Sequence, residues 1–309
     1  MVTVTEDRDG QRIDNFLVGQ LKGVPKSLIY RILRTGQVRI NGKRAKPDTR
    51  IAEGDEVRIP PVRTAEPVSP GAPPPGQLVR IEEAIIYEDR DFLVLDKPSG
   101  IASHGGSGIS FGAIELLRAA RPQDTLELAH RLDRDTSGVL VFTRRRPALN
   151  ALQTLIRENA TTKQYLSLLK GRPARAVFDV NEPLRKSVLQ GGERMVRVDS
   201  GGKASLTRFR LIEAFSVATL AEATLFTGRT HQIRVHAAHS GHPLGGDEKY
   251  GDREFNMQMR GLGLKRLFLH AARFEFAIGE RSYSFSAPLS AELKGVLNKL
   301  TIATGKNAR

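Results

Sequence analysis

His130-Arg131-Leu132-Asp133-Arg134-Asp135-Thr136-Ser137-Gly138 runs without a break into Val139-Leu140-Val141-Phe142. An unbroken apolar run after a Thr-Ser-Gly turn predicts a buried strand over 138–143 with a polar loop at its mouth. A carboxylate at such a mouth is held by rigid scaffold while it faces a cleft. Asp133 and Asp135 both stand there, and Arg131 and Arg134 surround them with positive charge suited to an RNA backbone. Taken alone, Asp-x-x-Thr-Ser-Gly is equally well explained as a turn in which an Asp side chain bonds its own backbone. Its meaning therefore depends on what flanks it.

Working outward, 85–87 and 92–95 predict strands, and 110–121 predicts a helix with apolar spacing at Ile114 and Leu117. A second helix over 147–159 is signalled by Leu149, Leu152, Leu155 and Ile156. Later segments favour strand: 206–211, 216–225, and the pair 273–278 and 281–287, which turn at Gly279-Glu280 with Phe274, Phe276, Tyr283 and Phe285 alternating. These signals predict an α+β domain over 78–305, built on a mostly antiparallel mixed sheet.

The amino-terminal part reads differently. Ile13, Phe16, Leu17 and Leu21 recur at helical spacing, and Pro25 and Ser27 open a second helix continued by Ile29, Ile32 and Leu33. Val38, Ile40 and Asn41-Gly42 predict a strand and tight turn, and Gly54-Asp55 precedes a closing strand at 56–59. Between Lys22 and Lys46 every charged residue is Lys or Arg, so this small α/β unit, 12–60, carries a basic face. From 61 to 77 the chain is rich in Pro and without periodicity, which predicts an extended connector between two domains.

Composition agrees with a polyanion as partner. The 309 residues carry a formal charge of +14, a field that attracts nucleic acid and makes binding salt-dependent. Cysteine is absent, which excludes disulfides, zinc thiolates and thiol nucleophiles and suits a reducing compartment. No window approaches the roughly 18 consecutive apolar residues of a membrane span, and 1–12 is polar rather than signal-like. A cytoplasmic, soluble protein with no membrane partner is expected, with monomer as the default.

With the flanking motifs added, His-Arg-Leu-Asp-x-x-Thr-Ser-Gly resembles the signature of the bacterial ribosomal large-subunit pseudouridine synthases, with Asp133 in the catalytic place and Asp135 in a variable one. Leu95-Asp96-Lys97-Pro98-Ser99-Gly100 precedes it, and Lys163-Gln164-Tyr165 follows. Thr227-Gly228-Arg229-Thr230-His231-Gln232-Ile233-Arg234-Val235-His236, Gly246-Asp247-Glu248-Lys249-Tyr250-Gly251 and Leu267-Phe268-Leu269-His270-Ala271 come in the same order as in that family. The amino-terminal unit resembles the S4 RNA-binding domain that such enzymes often carry. The resemblance covers nearly the whole chain apart from the first few residues, the connector and the tail after about residue 300.

That resemblance implies an enzyme that isomerises uridines in large-subunit (23S) ribosomal RNA to pseudouridine. It further implies Arg234 as the cation paired with Asp133. Tyr165 would stack on the target base or take part in a later proton transfer, and Arg131 would fill the gap left when the uridine is turned out of its stack. Chemistry gives its own support. The reaction breaks a C–N glycosidic bond and makes a C–C bond between the same partners, so it needs no redox change and no cofactor. Asp133 could attack the sugar C1′, attack the base C6, or take the C2′ proton, and residue types alone leave these open.

Arg31, Arg34, Lys43 and Arg44 are expected to contact phosphates, and Arg229 and His231 to face RNA. Lys97-Pro98-Ser99-Gly100 is expected to shape the cleft wall. His231, His236, His239 and His242 cluster in sequence, but no acidic or thiol ligand is interleaved, and no metal is expected. A glycosidase would want a second acid, for which Asp135 is the local candidate. A binding module that had lost activity would lack Asp133 or Arg234, and both are present. An S4-linked aminoacyl-tRNA synthetase would need nucleotide-binding motifs that the chain does not show.

Overall fold

The computed structural model describes residues 1–21, 24–62, 71–106, 110–188 and 194–306. Two compact units, Met1–Ala72 and Pro73–Arg309, divide the chain. Lys22 of the basic stretch, most of the Pro-rich run and Ser107-Gly108 lie outside the described residues.

In the first unit, strand β1 (Val2–Thr3), helices α1 (Ile13–Gln20) and α2 (Lys26–Arg34), and strands β2 (Arg39–Ile40), β3 (Lys43–Arg44) and β4 (Glu56–Arg58) form a sheet ordered β1-β4-β2-β3 beside two helices. Ile13, Phe16 and Leu17 of α1 and Ile29, Ile32 and Leu33 of α2 are buried together with Val38, Ile51 and Val57. Asn41 (φ 48°) and Gly42 (φ 77°) both adopt positive φ between β2 and β3, as a type I′ hairpin requires. Sequence patterning had missed β1, whose two residues are too few to show alternation, although Val4 beside it is buried.

The second unit begins with α3 (Pro75–Glu83), which takes in 75–77 that composition had assigned to the connector. Proline is compatible with a helix's first turn, where its missing N–H would have no partner, so a Pro-rich run can end inside a helix. Then follow β5 (Ile85–Glu88), β6 (Phe92–Lys97), α4 (Ala113–Ala120), β7 (Glu127–Leu128), β8 (Ser137–Thr143), α5 (Arg146–Arg157), β9 (Thr162–Lys170), β10 (Val177–Asn181), β11 (Leu184–Val188), β12 (Arg194–Val198), β13 (Leu206–Ala214), β14 (Ala218–Leu225), α6 (Gln232–His239), α7 (Arg253–Gly261), β15 (Leu269–Ile278), β16 (Arg281–Ser286) and α8 (Ala291–Lys306). The main sheet is ordered β10-β13-β14-β9-β15-β8-β6-β5, with β16 paired to β15 and β7 to β8. Its ladders are antiparallel except β15 with β8, which is parallel. The expected α+β architecture with a mostly antiparallel mixed sheet is what forms. A separate two-stranded arm joins β11 and β12.

β8 is buried along its whole length, which explains its unbroken apolar sequence. Leu140 and Phe142 point to the face covered by Ile114, Leu116 and Leu117 of α4, and Val139 and Val141 to the face covered by Ala148, Leu149 and Leu152 of α5. The aromatic hairpin β15–β16 packs on the second face, where Phe276 stacks on Tyr283 at 4.9 Å and Tyr283 meets Phe92 edge-on at 4.9 Å. Among the described residues no helix is long and apolar enough to cross a membrane.

At the start of β8 the backbones approach closely. Gly138 pairs with Ala271 of β15, and Ala271 in turn pairs with Tyr165 of β9, so one row crosses the three central strands. A register shift between Ala271 and Arg273 bulges β15 beside this row. Gly138 has φ 105°, and a Cβ there would collide with the Ala271 carbonyl. Gly171 also has positive φ (67°), but nothing lies near its missing Cβ. Gly171→Ala should therefore cost only the left-handed penalty of about 1–2 kcal/mol, whereas Gly138→Ala should cost about 3 kcal/mol or more. Urea unfolding of the two variants separates the terms, and equal losses would refute the close-approach account.

Candidate active site

The loop before β8 is fastened from below by the segment that follows β6. Lys97 is fully buried, and its Nζ donates to the carbonyls of Ile101 (2.6 Å), Pro98 (3.1 Å) and Arg134 (3.1 Å). Burial pulls this amine down to about 7, opposed by the charges of Asp135 and Asp133. Three carbonyl acceptors call for three N–H donors, which only the ammonium supplies, so the geometry fits the protonated form. Ser99 Oγ donates to the Asp135 carbonyl at 2.7 Å, and Gly100 N–H to the Arg134 carbonyl at 2.9 Å. Ser103 Oγ donates to the Leu132 carbonyl (2.8 Å) and accepts from the Leu132 N–H (2.9 Å). The carbonyls of 132, 134 and 135 are thus held by that segment, and the Asp133 carbonyl accepts from the Thr136 N–H at 3.2 Å.

The Asp133 side chain is 29% exposed. Its Oδ2 lies 3.8 Å from Arg234 Nη1 and 3.9 Å from His231 Nε2. Arg234 reaches it from α6, and the same guanidinium makes a bidentate pair with Asp247, Nε to Oδ2 and Nη2 to Oδ1, both at 2.7 Å. Both partners are buried, at 8% and 1% side-chain exposure. Burial would raise the Asp247 carboxyl, but the Arg234 hydrogen bonds and charge and the Tyr250 and Lys249 N–H donors hold it below the usual carboxylate range. The Tyr250 ring lies under the Arg234 guanidinium, 5.0 Å from its centroid to the guanidinium carbon. Tyr165 is buried on β9, and burial together with the Asp133 charge pushes its phenol above the ordinary value.

Asp133, His231 and Arg234 border a cavity of about 1060 Å³ whose lining also includes Asp96, Arg266 and His270. Pro98, Ser99 and Gly100 form part of its wall, as expected of that turn. Ser137 Oγ accepts from Arg266 Nη1 (3.0 Å) and lies 2.9 Å from His270 Nδ1, which closes the floor at the start of β8. Arg80, Arg134, Lys249, Arg260 and Lys265 bring positive charge to the lining.

The remaining expected residues are scattered. Arg131 is exposed on the loop beside Asp133. Asp135 pairs with its exposed neighbour Arg134 at 3.2 Å. Arg229 is exposed, with Nε on the Ala204 carbonyl (3.2 Å). His231 is not on the outer surface but against Asp133, with a side chain 19% exposed. Arg31, Arg34, Lys43 and Arg44 are exposed on the first unit, where Arg44 donates to the Thr35 carbonyl at 3.2 Å. The histidine cluster is dispersed: His236 bonds Thr207 Oγ1 and the Glu182 carbonyl, and His242 the Lys170 carbonyl. Sequence reasoning missed the roles of Lys97, Asp247 and Tyr250, all within quoted motifs. A carboxylate directly after Gly245-Gly246, thirteen residues after a helical Arg, was the available signal for Asp247.

Residues 91–239 match the family described as RNA pseudouridylate synthase, and residues 11–57 match the S4 domain. The chain is 53% identical over 316 positions to the ribosomal large subunit pseudouridine synthase C of Escherichia coli K12, covering 100% of this chain and 97% of that protein. It is 51% identical over 304 positions to the protein of that name from Pasteurella multocida, covering 97% and 93%. Among solved structures it is similar to human RNA pseudouridylate synthase domain containing 1, at TM-score 0.57 and 25% identity, covering 71% of this chain and 94% of that one. Human RNA pseudouridylate synthase domain containing 4 shares the fold, at TM-score 0.62 and 22% identity over 73% and 97%.

The buried ion pair makes a prediction of its own. Asp247→Asn leaves the Arg234 charge buried with half its acceptors, and should lower stability at neutral pH by about 3–5 kcal/mol. Because the folded carboxyl lies below its unfolded value of about 3.9, its contribution is present above pH ~4 and is lost as pH falls through the folded value. Denaturant unfolding against pH should show the wild-type advantage shrinking only below about pH 4; an advantage that is flat down to pH 2 would refute it.

Proposed function

The chain belongs to the RNA pseudouridylate synthase family, and from that premise we propose that it isomerises particular uridines of large-subunit ribosomal RNA to pseudouridine, with Asp133 as the essential carboxylate. The observation that carries the reading is Asp133 at the mouth of a rigid strand, bordering the cavity, with both neighbouring donors grouped on one of its oxygens. Oδ2 is addressed by Arg234 and His231, which leaves Oδ1 to react. Uracil leaves as a stabilised anion and must be retained, so a single carboxylate suffices where a hydrolase would need a second acid. Asp135 is tied to Arg134 and is a spectator.

In the reaction the N1–C1′ bond breaks and C5 bonds to C1′; the C5 proton leaves and N1 gains one, so the product is an isomer. Arg234 orients Asp133 and opposes the charge on the departing base. Tyr165 has a phenol pushed above its ordinary value, so at neutral pH it keeps its proton; that favours packing against the base over acting as a phenolate base. Arg131, exposed beside Asp133, is suited to enter the RNA stack when the uridine is turned out.

Asp133→Asn should abolish release of tritium from uridine labelled at C5, while Asp135→Asn should keep substantial turnover. Chemical mapping of pseudouridine in ribosomal RNA from cells with and without the protein tests the substrate, and an unchanged map would sink the claim. Arg31, Arg34, Lys43 and Arg44 supply affinity rather than chemistry. Changing all four to Gln should flatten the dependence of log K on log salt by about 0.7–0.9 for each phosphate that is no longer neutralised. An unaltered slope would remove these residues from the RNA interface.

A further inference from the structure

Tyr250 stands at a junction that the pairing of Arg234 with Asp133 does not require. Its N–H donates to Asp247 Oδ1 at 3.0 Å, the same oxygen that holds Arg234 Nη2. Its hydroxyl accepts from the Val196 N–H of β12 at 3.0 Å and lies 2.8 Å from His231 Nδ1. A phenol has one proton to give. Among the described residues His231 Nδ1 is the acceptor within reach of it, so Nδ1 accepts and the ring proton sits on Nε2. That nitrogen is the one 3.9 Å from Asp133 Oδ2.

The His231 backbone is locked for this purpose. It adopts φ 54° at the start of α6, a left-handed conformation uncommon outside glycine. Gln232, next in the chain, accepts from the Arg229 N–H and Thr227 Oγ1 and donates to the Leu206 carbonyl and Thr207 Oγ1, each at 2.8–3.0 Å. The ring packs edge-on to Tyr250 at 5.5 Å. Burial lowers the His231 value, helped by Arg234 and Lys249 and opposed by Asp133 and Asp247, so the imidazole is neutral at neutral pH.

Resting on the assignment of Asp133 as the essential carboxylate, we propose that His231 is a positioning residue for it: a neutral Nε2–H donor whose tautomer is set by the chain Val196 N–H to Tyr250 O–H to Nδ1. An uncharged donor orients Oδ2 without adding a second full charge to the one Arg234 supplies. Val196 belongs to the β11–β12 arm, whose exposed Arg185, Lys186 and Arg197 are suited to phosphates, so the arm's backbone is connected to Asp133 through two side chains.

Two readouts test it on the full-length protein. Nitrogen NMR of ¹⁵N-histidine protein should show His231 Nδ1 as the unprotonated nitrogen and Nε2 as the protonated one. Tyr250→Phe, which keeps the ring under Arg234 and removes only the hydroxyl, should mix the tautomers. On a large-subunit ribosomal RNA transcript the same variant should lose about tenfold in kcat with KM within about twofold. His231→Gln, whose amide nitrogen reaches the Nε2 position, should retain at least about threefold more kcat than His231→Asn, whose amide nitrogen sits at the Nδ1 position. Should Tyr250→Phe fail to fold, the His231 pair decides. A protonated Nδ1 in the wild type, or equal kcat for the two His231 variants, overturns the proposal. Activity surviving in Asp133→Asn would instead overturn the catalytic assignment, and the NMR result would stand apart from it.

Discussion

The cavity depends on one buried ion pair. Arg234 and Asp247 are almost wholly removed from water, and such a pair is tolerated only when geometry and extra hydrogen bonds offset the desolvation of both charges. Here the offset is complete: two short parallel bonds join the groups, the Lys249 and Tyr250 N–H groups donate to the carboxylate, and the Tyr250 ring covers the guanidinium. Its value lies in direction more than in stability. A guanidinium clamped along one edge holds its remaining nitrogen, Nη1, in place, and Asp133 Oδ2 lies 3.8 Å from it.

The loop that carries Asp133 obeys the same rule with different chemistry. Lys97 is buried without a carboxylate and spends its three donors on carbonyls, one of them belonging to the residue after Asp133. A point charge that satisfies three backbone groups at once fixes a loop that has no ladder partners of its own. Gly138 completes the arrangement, because a Cβ there would collide with the Ala271 carbonyl in the row that ends in Tyr165. Sheet packing, backbone carbonyls and a buried cation thus converge on one carboxylate from three sides.

How much of this is legible in sequence follows from the range of each interaction. β8, the aromatic hairpin and the two helices of the first unit declare themselves through local periodicity, since burial on one or both faces dictates side-chain type residue by residue. Lys97, Asp247 and Tyr250 carry no such mark. Their surroundings are assembled from segments far apart in the chain, and a Lys before Pro or an Asp after two glycines is locally an ordinary turn residue. The place of His231 beside Asp133 is hidden for the same reason: the left-handed turn at the start of α6 is invisible in residue type. The catalytic carboxylate itself was recoverable from ordered motifs, not from its own neighbourhood.

The long distances around Asp133 then have a physical meaning. Arg234 has a closer partner elsewhere, Asp247 at 2.7 Å, and His231 is tied through its other ring nitrogen to Tyr250 at 2.8 Å. A bidentate 2.7 Å pair between Arg234 and Asp133 would occupy both carboxylate oxygens and leave none for the substrate. Diverting the cation's best geometry to a second, buried carboxylate keeps its field at the site while releasing the reactive group from its grip. A nucleophile or base must be oriented yet not consumed by its own support. The fold meets both demands by making Asp133 the second-best partner of Arg234.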